Sequence, residues 1–443
     1  MMRTALRWTL AAVLCVPAVS GAPPVPRGFD LPLTQYRLKN GLQVILSEDD
    51  SLPVVSVVVA YAAGPVREQL GRSGLAYLME NLMFQGSENV SPMQHINYIQ
   101  RIGGEFNANT AFDKTYFYES VPSNQLALAL WLESDRMAAP AITGANVERA
   151  KEALVAESRQ RRTAEPYMES FFLFDRLLYP DFAYGHPVIG TEEDLKRITE
   201  EDARAFAAAY YVPNNAVLCI AGSFDGPKAR ELVSKYFETI PRGGDVPAPP
   251  PPGSEAPAAR DQVVGDPLAP SPAFHVGYRV GRLQTSDADA LKIIDILLTH
   301  GKSSRLYKRL VKKERIALYL NGGVEERGGL TSFRVFAISP NAVMADLCRK
   351  AVAAEIGRLR TTIIPEDELA KAKVLFKGAY LDRLTTSLPR ALFLCERYLQ
   401  GAPLEGLGGE FERHLLVTPV TIVSLANRLF KPENAYGLDL RTK

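Results

Sequence analysis

The chain has 443 residues, with 51 basic against 50 acidic side chains and a formal net charge of +1. So even a balance carries no nucleic-acid footprint and no bias towards strongly acidic substrates. The length exceeds one ordinary core and suits two domains of roughly 200 residues each, and 47% hydrophobic with 23% charged residues is a globular composition.

Residues 1–22 read as a signal peptide. Arg3 and Arg7 stand without an acid, Trp8 to Val19 is an apolar run too short to span a bilayer, and Ser20-Gly21-Ala22 offers a cleavage site. The expectation is an exported chain, periplasmic or secreted. No second stretch reaches about 18 apolar residues, so no membrane span is expected. Beyond Cys15 only Cys219, Cys348 and Cys395 remain. That odd, widely spaced set reads as buried small hydrophobes rather than a disulfide framework.

The first lobe is expected over 23–240. Gln35 to Leu46 reads as a hairpin about Asn40-Gly41, and Val54 to Tyr61, rich in β-branched residues, as a buried strand. A helix follows from Gly74 to Phe84, then a strand at Tyr116-Phe117-Tyr118 and helices over Leu126–Met137, Val147–Arg162 and Glu201–Tyr211. Ala216–Gly222 is a further strand. Residues 241–272 are rich in Pro, Ala and Gly, with Pro249 to Pro252 uninterrupted, and read as an extended spacer between lobes.

The second lobe, 273–443, repeats this order more loosely. Strands are expected at Phe274–Val280 and Ser332–Ser339, and helices at Asp287–His300, Leu306–Lys313, Met344–Leu359, Pro365–Thr385 and Val420–Phe430. Two related α+β lobes follow, each a mostly antiparallel sheet packed on helices.

Several motifs occur in order. Gly71 to Ser87 contains Tyr77-Leu78-Met79-Glu80-Asn81, and Gly103 to Thr110, Leu132 to Met137, Tyr184 to Thr191, Tyr211 to Ala216 and Ser304 to Tyr307 follow. Together they resemble the pitrilysin/insulinase (inverzincin) zinc metallopeptidases over nearly the whole chain after the signal peptide. The resemblance implies the two-lobed insulinase-like (LuxS-like metallopeptidase) fold. In active members, H-x-x-E-H on a helix puts two imidazoles on one face, the Glu activates water, and a downstream Glu completes the zinc site.

Here the motif positions hold Tyr77, Glu80 and Asn81, and the downstream acid matches Glu157, 76 residues beyond Asn81. A further family acid falls on Ala150. Neutral phenol and amide oxygens are poor zinc ligands near pH 7, and no two of His95, His186, His275, His300 and His414 stand close enough in sequence to replace the pair. The reading is a relic site at Tyr77, Glu80, Asn81 and Glu157, with no metal and no cofactor. The plainer alternatives are a solvated Glu80, a surface salt bridge at Glu157, and Tyr77 and Asn81 packing on or bonding one another. His186, in a Tyr-Gly-His-Pro turn, reads as structural.

The resemblance further implies that Phe106, Asn107, Ala108 and Thr110 lie on a strand that pairs with extended peptide. It places a substrate-holding Arg and Tyr near Val311 and Leu318, where neither type stands, although Arg309, Arg315 and Tyr319 are adjacent. Tyr319 is kept as a peptide-contact candidate. The implied role is a non-catalytic subunit, self-associating or paired with a zinc-bearing homologue in a heterodimer that encloses peptides. A peptidase active on its own through an altered zinc site, and an architectural subunit of a larger assembly, are the alternatives.

Overall fold

The computed structural model describes residues 31–250 and 260–442; the signal-peptide reading of 1–22 lies outside them. Two mixed sheets organise the chain. The first contains β1 (Thr34–Arg37), β2 (Gln43–Glu48), β3 (Val54–Tyr61), β4 (Glu105–Ala111), β5 (Lys114–Pro122) and β6 (Ala216–Gly222), in the order β1-β2-β6-β3-β5-β4. The second contains β7 (Asp261–Gly265), β8 (Ala273–Gly281), β9 (Tyr319–Arg327), β10 (Leu330–Ile338) and β11 (Ala435–Arg441), in the order β7-β11-β8-β10-β9.

Set β1 aside and the two sheets are wound identically. In each, the first and last strands of the lobe pair in parallel, and every other pairing is antiparallel. The chain is therefore an α+β protein of two related lobes. The stretch read as a spacer, 241–272, includes β7, which pairs in parallel with β11.

Local chemistry explains the entry to the first sheet. Gly41 takes φ +94°, which closes the β1–β2 turn, and Asn40 is buried with its amide donating to the carbonyls of Phe237 and Ile240. The run Val54–Tyr61 is buried on both faces, as its lack of polar alternation requires. Val55, Val57 and Val59 pack on the first lobe's own helices, while Val58 and Ala60 join the apolar cluster of the second half.

The halves are interlocked. A helix at Ser387–Leu399 from the second half lies on β3 and β6, and one at Met168–Leu178 from the first half lies against β8 and β11. Periodicity missed both, along with the helices Gln94–Arg101, Gly226–Phe237 and Leu407–Leu415. Residues Tyr307–Lys313, expected as an ordinary helix, wind as a π-helix.

Candidate functional site

The helix carrying the degenerate motif spans Leu75–Leu82. Its N-terminus has no Ser or Thr cap. Instead the buried Glu68 accepts the N–H groups of Gly74 (2.8 Å) and Ala76 (2.7 Å). Burial pushes the Glu68 carboxyl up to about 8, against the pull of these bonds. His186 Nε2 lies 3.5 Å from Glu68, inside the fold and away from the motif side chains. Gly74 has φ +91°, and a Cβ there would stand 2.5 Å from the Ile189 carbonyl. That close approach joins the Gly71–Ser87 and Tyr184–Thr191 motifs.

Leu75, Ala76, Leu78, Met79 and Leu82 are buried. Tyr77, Glu80 and Asn81 are left on a half-buried face towards the helix Gly144–Ala164 and β4. Tyr77 Oη donates to Glu157 Oε1 at 3.3 Å, and Arg161 donates to the same oxygen at 2.6 Å. Asn81 Nδ2 donates back to the Tyr77 carbonyl at 3.0 Å. Glu80 accepts the Thr110 hydroxyl at 2.5 Å and also a backbone bond from Thr110. Ala150 is buried in the first-lobe core.

This donor set does not suit zinc. Burial, then the charges of Glu157 and Glu80, push the Tyr77 phenol up to about 12, so its oxygen keeps its proton. The Asn81 amide is turned onto its own helix, and Glu157 is engaged by a guanidinium. Glu80 is raised by burial and by Glu157, with Thr110 opposing. The relic residues are together in space, and they satisfy one another.

Among the peptide-contact candidates, Phe106, Asn107, Ala108 and Thr110 lie on β4, which among the described residues is an edge strand paired with β5. Phe106 and Ala108 pack towards the core, with the Phe106 ring 5.7 Å from that of Phe84. Asn107 Oδ1 accepts the Ala108 N–H at 2.8 Å. Tyr319 is not beside them: it opens β9, the edge of the other sheet, with its ring 6.1 Å from Phe336. Arg309 is committed to Glu314 (2.7 Å) and Glu355 (3.0 Å). Arg315 stands at φ +54° in the turn before β9.

One buried polar group went unnoticed in the sequence. His95, Glu119 and Glu133 place their ligand-capable atoms within 4.8 Å of one another. His95 meets Glu119, and Glu133 meets Arg136, whose guanidinium lies over the rings of Phe84 (4.9 Å) and Phe117 (4.4 Å). Burial raises both carboxyls to about 7 and, with the Arg136 charge, lowers His95 to about 3. Arg136 supplies the positive charge that an ion would otherwise bring, so the group is a self-compensated core network. Its hint was the acid and base three apart in Leu132–Met137.

Comparison with known proteins places this geometry. A family model described as insulinase (peptidase family M16) matches residues 43–182, and one described as the peptidase M16 inactive domain matches 197–375. The zinc protease PqqE of Helicobacter pylori is 29% identical over 399 residues, covering 89% of each chain. The crystal structure of a protease from Helicobacter pylori superposes with a TM-score of 0.88 at 27% identity, over 93% of this chain and 100% of that one. The periplasmic protease PqqL of Escherichia coli, at 17% identity and a TM-score of 0.76, shares the fold over 93% of this chain but 48% of its own.

Proposed function

The chain belongs to the insulinase (M16) family of peptidases, and from that premise we propose that it is a non-catalytic subunit, holding no zinc, which pairs with a zinc-bearing homologue to enclose peptides. One observation carries the reading. Tyr77 and Asn81 stand where the family's two imidazoles would, Tyr77 keeps its proton and donates to Glu157, Asn81 donates back to the Tyr77 carbonyl, and Arg161 takes Glu157. Nothing on this face can activate a water by the family's route.

The likeness supports pairing: the match covers 93% of this chain but 48% of the periplasmic protease PqqL, which leaves room for a second unit of the same fold to face this one. A partner with both histidines would supply the hydrolytic centre. This chain would supply the facing wall and, along β4, main-chain groups for an extended peptide. The location that fits is the periplasm or exterior, consistent with the N-terminal segment.

Co-expression tests the proposal. The chain should co-purify with a zinc-bearing homologue, raise its peptide cleavage, and contain no stoichiometric zinc when purified alone. A chain that binds zinc in a Glu80- and Glu157-dependent way and cleaves peptides unaided would sink it. A stable assembly with neither a zinc-bearing homologue nor peptide binding would point to a purely architectural role.

A further inference from the structure

Cys219 stands in the middle of β6. Alternation along this strand sends Val217, Cys219 and Ala221 to one face and Leu218 and Ile220 to the other. The first three belong to the apolar cluster of the second half of the chain. The helix Ser387–Leu399 lies across that face, with Ala391, Leu394 and Cys395 buried in the same cluster. Cys395 and Cys219 thus share the seam between this helix and β6, where burial and the neighbouring Cys219 raise the Cys395 thiol. Both side chains are free thiols here and are 0% exposed. Cys348 is buried on a different helix, Ala342–Thr361.

We propose that Cys219 and Cys395 are a covalent latch site, joined as a disulfide during folding to tie the first sheet to a helix of the second half. The reaction is thiol–disulfide exchange. One thiolate attacks the disulfide of an oxidised low-molecular-weight thiol or a dithiol oxidoreductase, releasing one thiolate of that reagent. The second cysteine then displaces the mixed disulfide and releases the other. One S–S bond forms, one breaks, and two protons and two electrons leave the protein for the reagent.

Timing follows from burial. Enclosed in apolar surroundings the two thiols are unreachable, so exchange must precede closure of the helix onto the sheet. Once formed, the bond is equally hidden from reductants. The bond would therefore be a lasting lock rather than a reversible switch, fixing the two halves as one wall whether or not zinc is ever bound.

The full chain should be unfolded in guanidinium with reductant, then refolded by dilution into a glutathione buffer containing an excess of the oxidised form. Alkylation in denaturant followed by mass spectrometry then reads the thiols. Of Cys219, Cys348 and Cys395, the expected product has Cys348 alone alkylated, yields a Cys219–Cys395 linked peptide, and has a higher urea midpoint than chain refolded fully reduced. Cys395→Ala should lose the linked peptide and the midpoint difference, while Cys348→Ala should keep both. A refolded chain with all three thiols alkylated overturns the proposal, as does a chain that folds only when its thiols are kept reduced. In either case the cysteines are no more than small buried side chains.

Discussion

The two lobes are the same winding with different chemistry on one helix face. Align Gly86 with Gly301 and the helix Leu75–Leu82 overlays the helix Thr285–Leu298, with Tyr77, Glu80 and Asn81 opposite Lys292, Asp295 and Ile296. The carboxylates behave alike. Glu80 accepts bonds from Thr110 on β4, and Asp295 accepts the Val324 N–H on β9 at 3.3 Å. Three residues earlier the match continues, because Asn107 Oδ1 accepts the Ala108 N–H and Asn321 Oδ1 accepts the Gly322 N–H. Each lobe thus sets a helix acid and a strand asparagine at matching places against an edge strand. An acid that recurs in the lobe without any zinc motif needs no catalytic explanation. The presence of Glu80 is therefore no argument for activity.

The comparison can be broken most forcefully by restoring what one helix lacks. Tyr77→His with Asn81→His, together with Arg161→Ala to release Glu157, should convert a chain with no stoichiometric zinc into one holding about one ion per chain. Metal analysis after gel filtration reads this. Failure to gain zinc would mean that the helix is displaced from the geometry its family uses, not merely stripped of ligands.

A smaller effect tests how far the lobes depend on one another. Arg327 closes β9 and is 3% exposed; besides Glu325 on its own strand (2.6 Å) it meets the first half at Asp175 (2.8 Å), the Tyr184 carbonyl (2.8 Å) and the Phe112 ring, 3.7 Å from the guanidinium. Arg327→Ala should cost about 3 kcal/mol in urea unfolding, because the Tyr184 carbonyl loses its donor while Asp175 keeps Arg334. Independent lobes would instead show two transitions, only one of them shifted. Smaller still, Glu80→Gln and Asp295→Asn should each cost about 1–2 kcal/mol, the size of a weakened buried hydrogen bond. A much larger loss for Glu80, or a change in peptide cleavage by a heterodimer, would restore a special role to the first lobe.

How much of this was legible depended on range. The Asn40-Gly41 turn, the β-branched run at Val54 and the spacing from Asn81 to Glu157 are local or family-spaced signals, and each marks a real element or neighbour. Arg161 taking Glu157 is a helix (i, i+4) pair and was visible in outline as a surface ion pair. The interlocking helices were not. Ser387–Leu399 has Pro389 in its first turn and buries Arg390 and Arg397, residue types that a sequence reading assigns to turns and solvent. Met168–Leu178 is largely apolar because both lobes surround it. The His95, Glu119, Glu133 and Arg136 network joins a helix, a strand and another helix, with no spacing to betray it. Tyr319 was kept by resemblance alone as a second-lobe contact, and it opens β9 of the second sheet.

The smallest expected effect asks what holds the helix Ser387–Leu399 to the first sheet. Arg390, 5% exposed, reaches Asp49 at 2.6 Å, just beyond β2. The Asp49 carboxyl is held down to about 2 by its bonds to Ser51 and Arg390. Its pKa is thus lower in the folded chain than in the unfolded one. The contribution is complete above the ordinary Asp range near 3.9 and is lost as the pH falls towards 2. Asp49 keeps 28% of its side chain in solvent, so the contribution should be no more than about 1 kcal/mol. Asp49→Asn should lower stability by that amount at pH 6 and leave it nearly equal to the parent at pH 2, read from urea midpoints. The contrast is with the apolar side of the same helix, where Ala391, Leu394 and Cys395 are 0% exposed against β3 and β6. Burying one such side chain is worth about 2 kcal/mol. If Asp49→Asn instead lowered stability equally at pH 6 and pH 2, the loss would come from contacts the side chain makes in either protonation state and not from its charge.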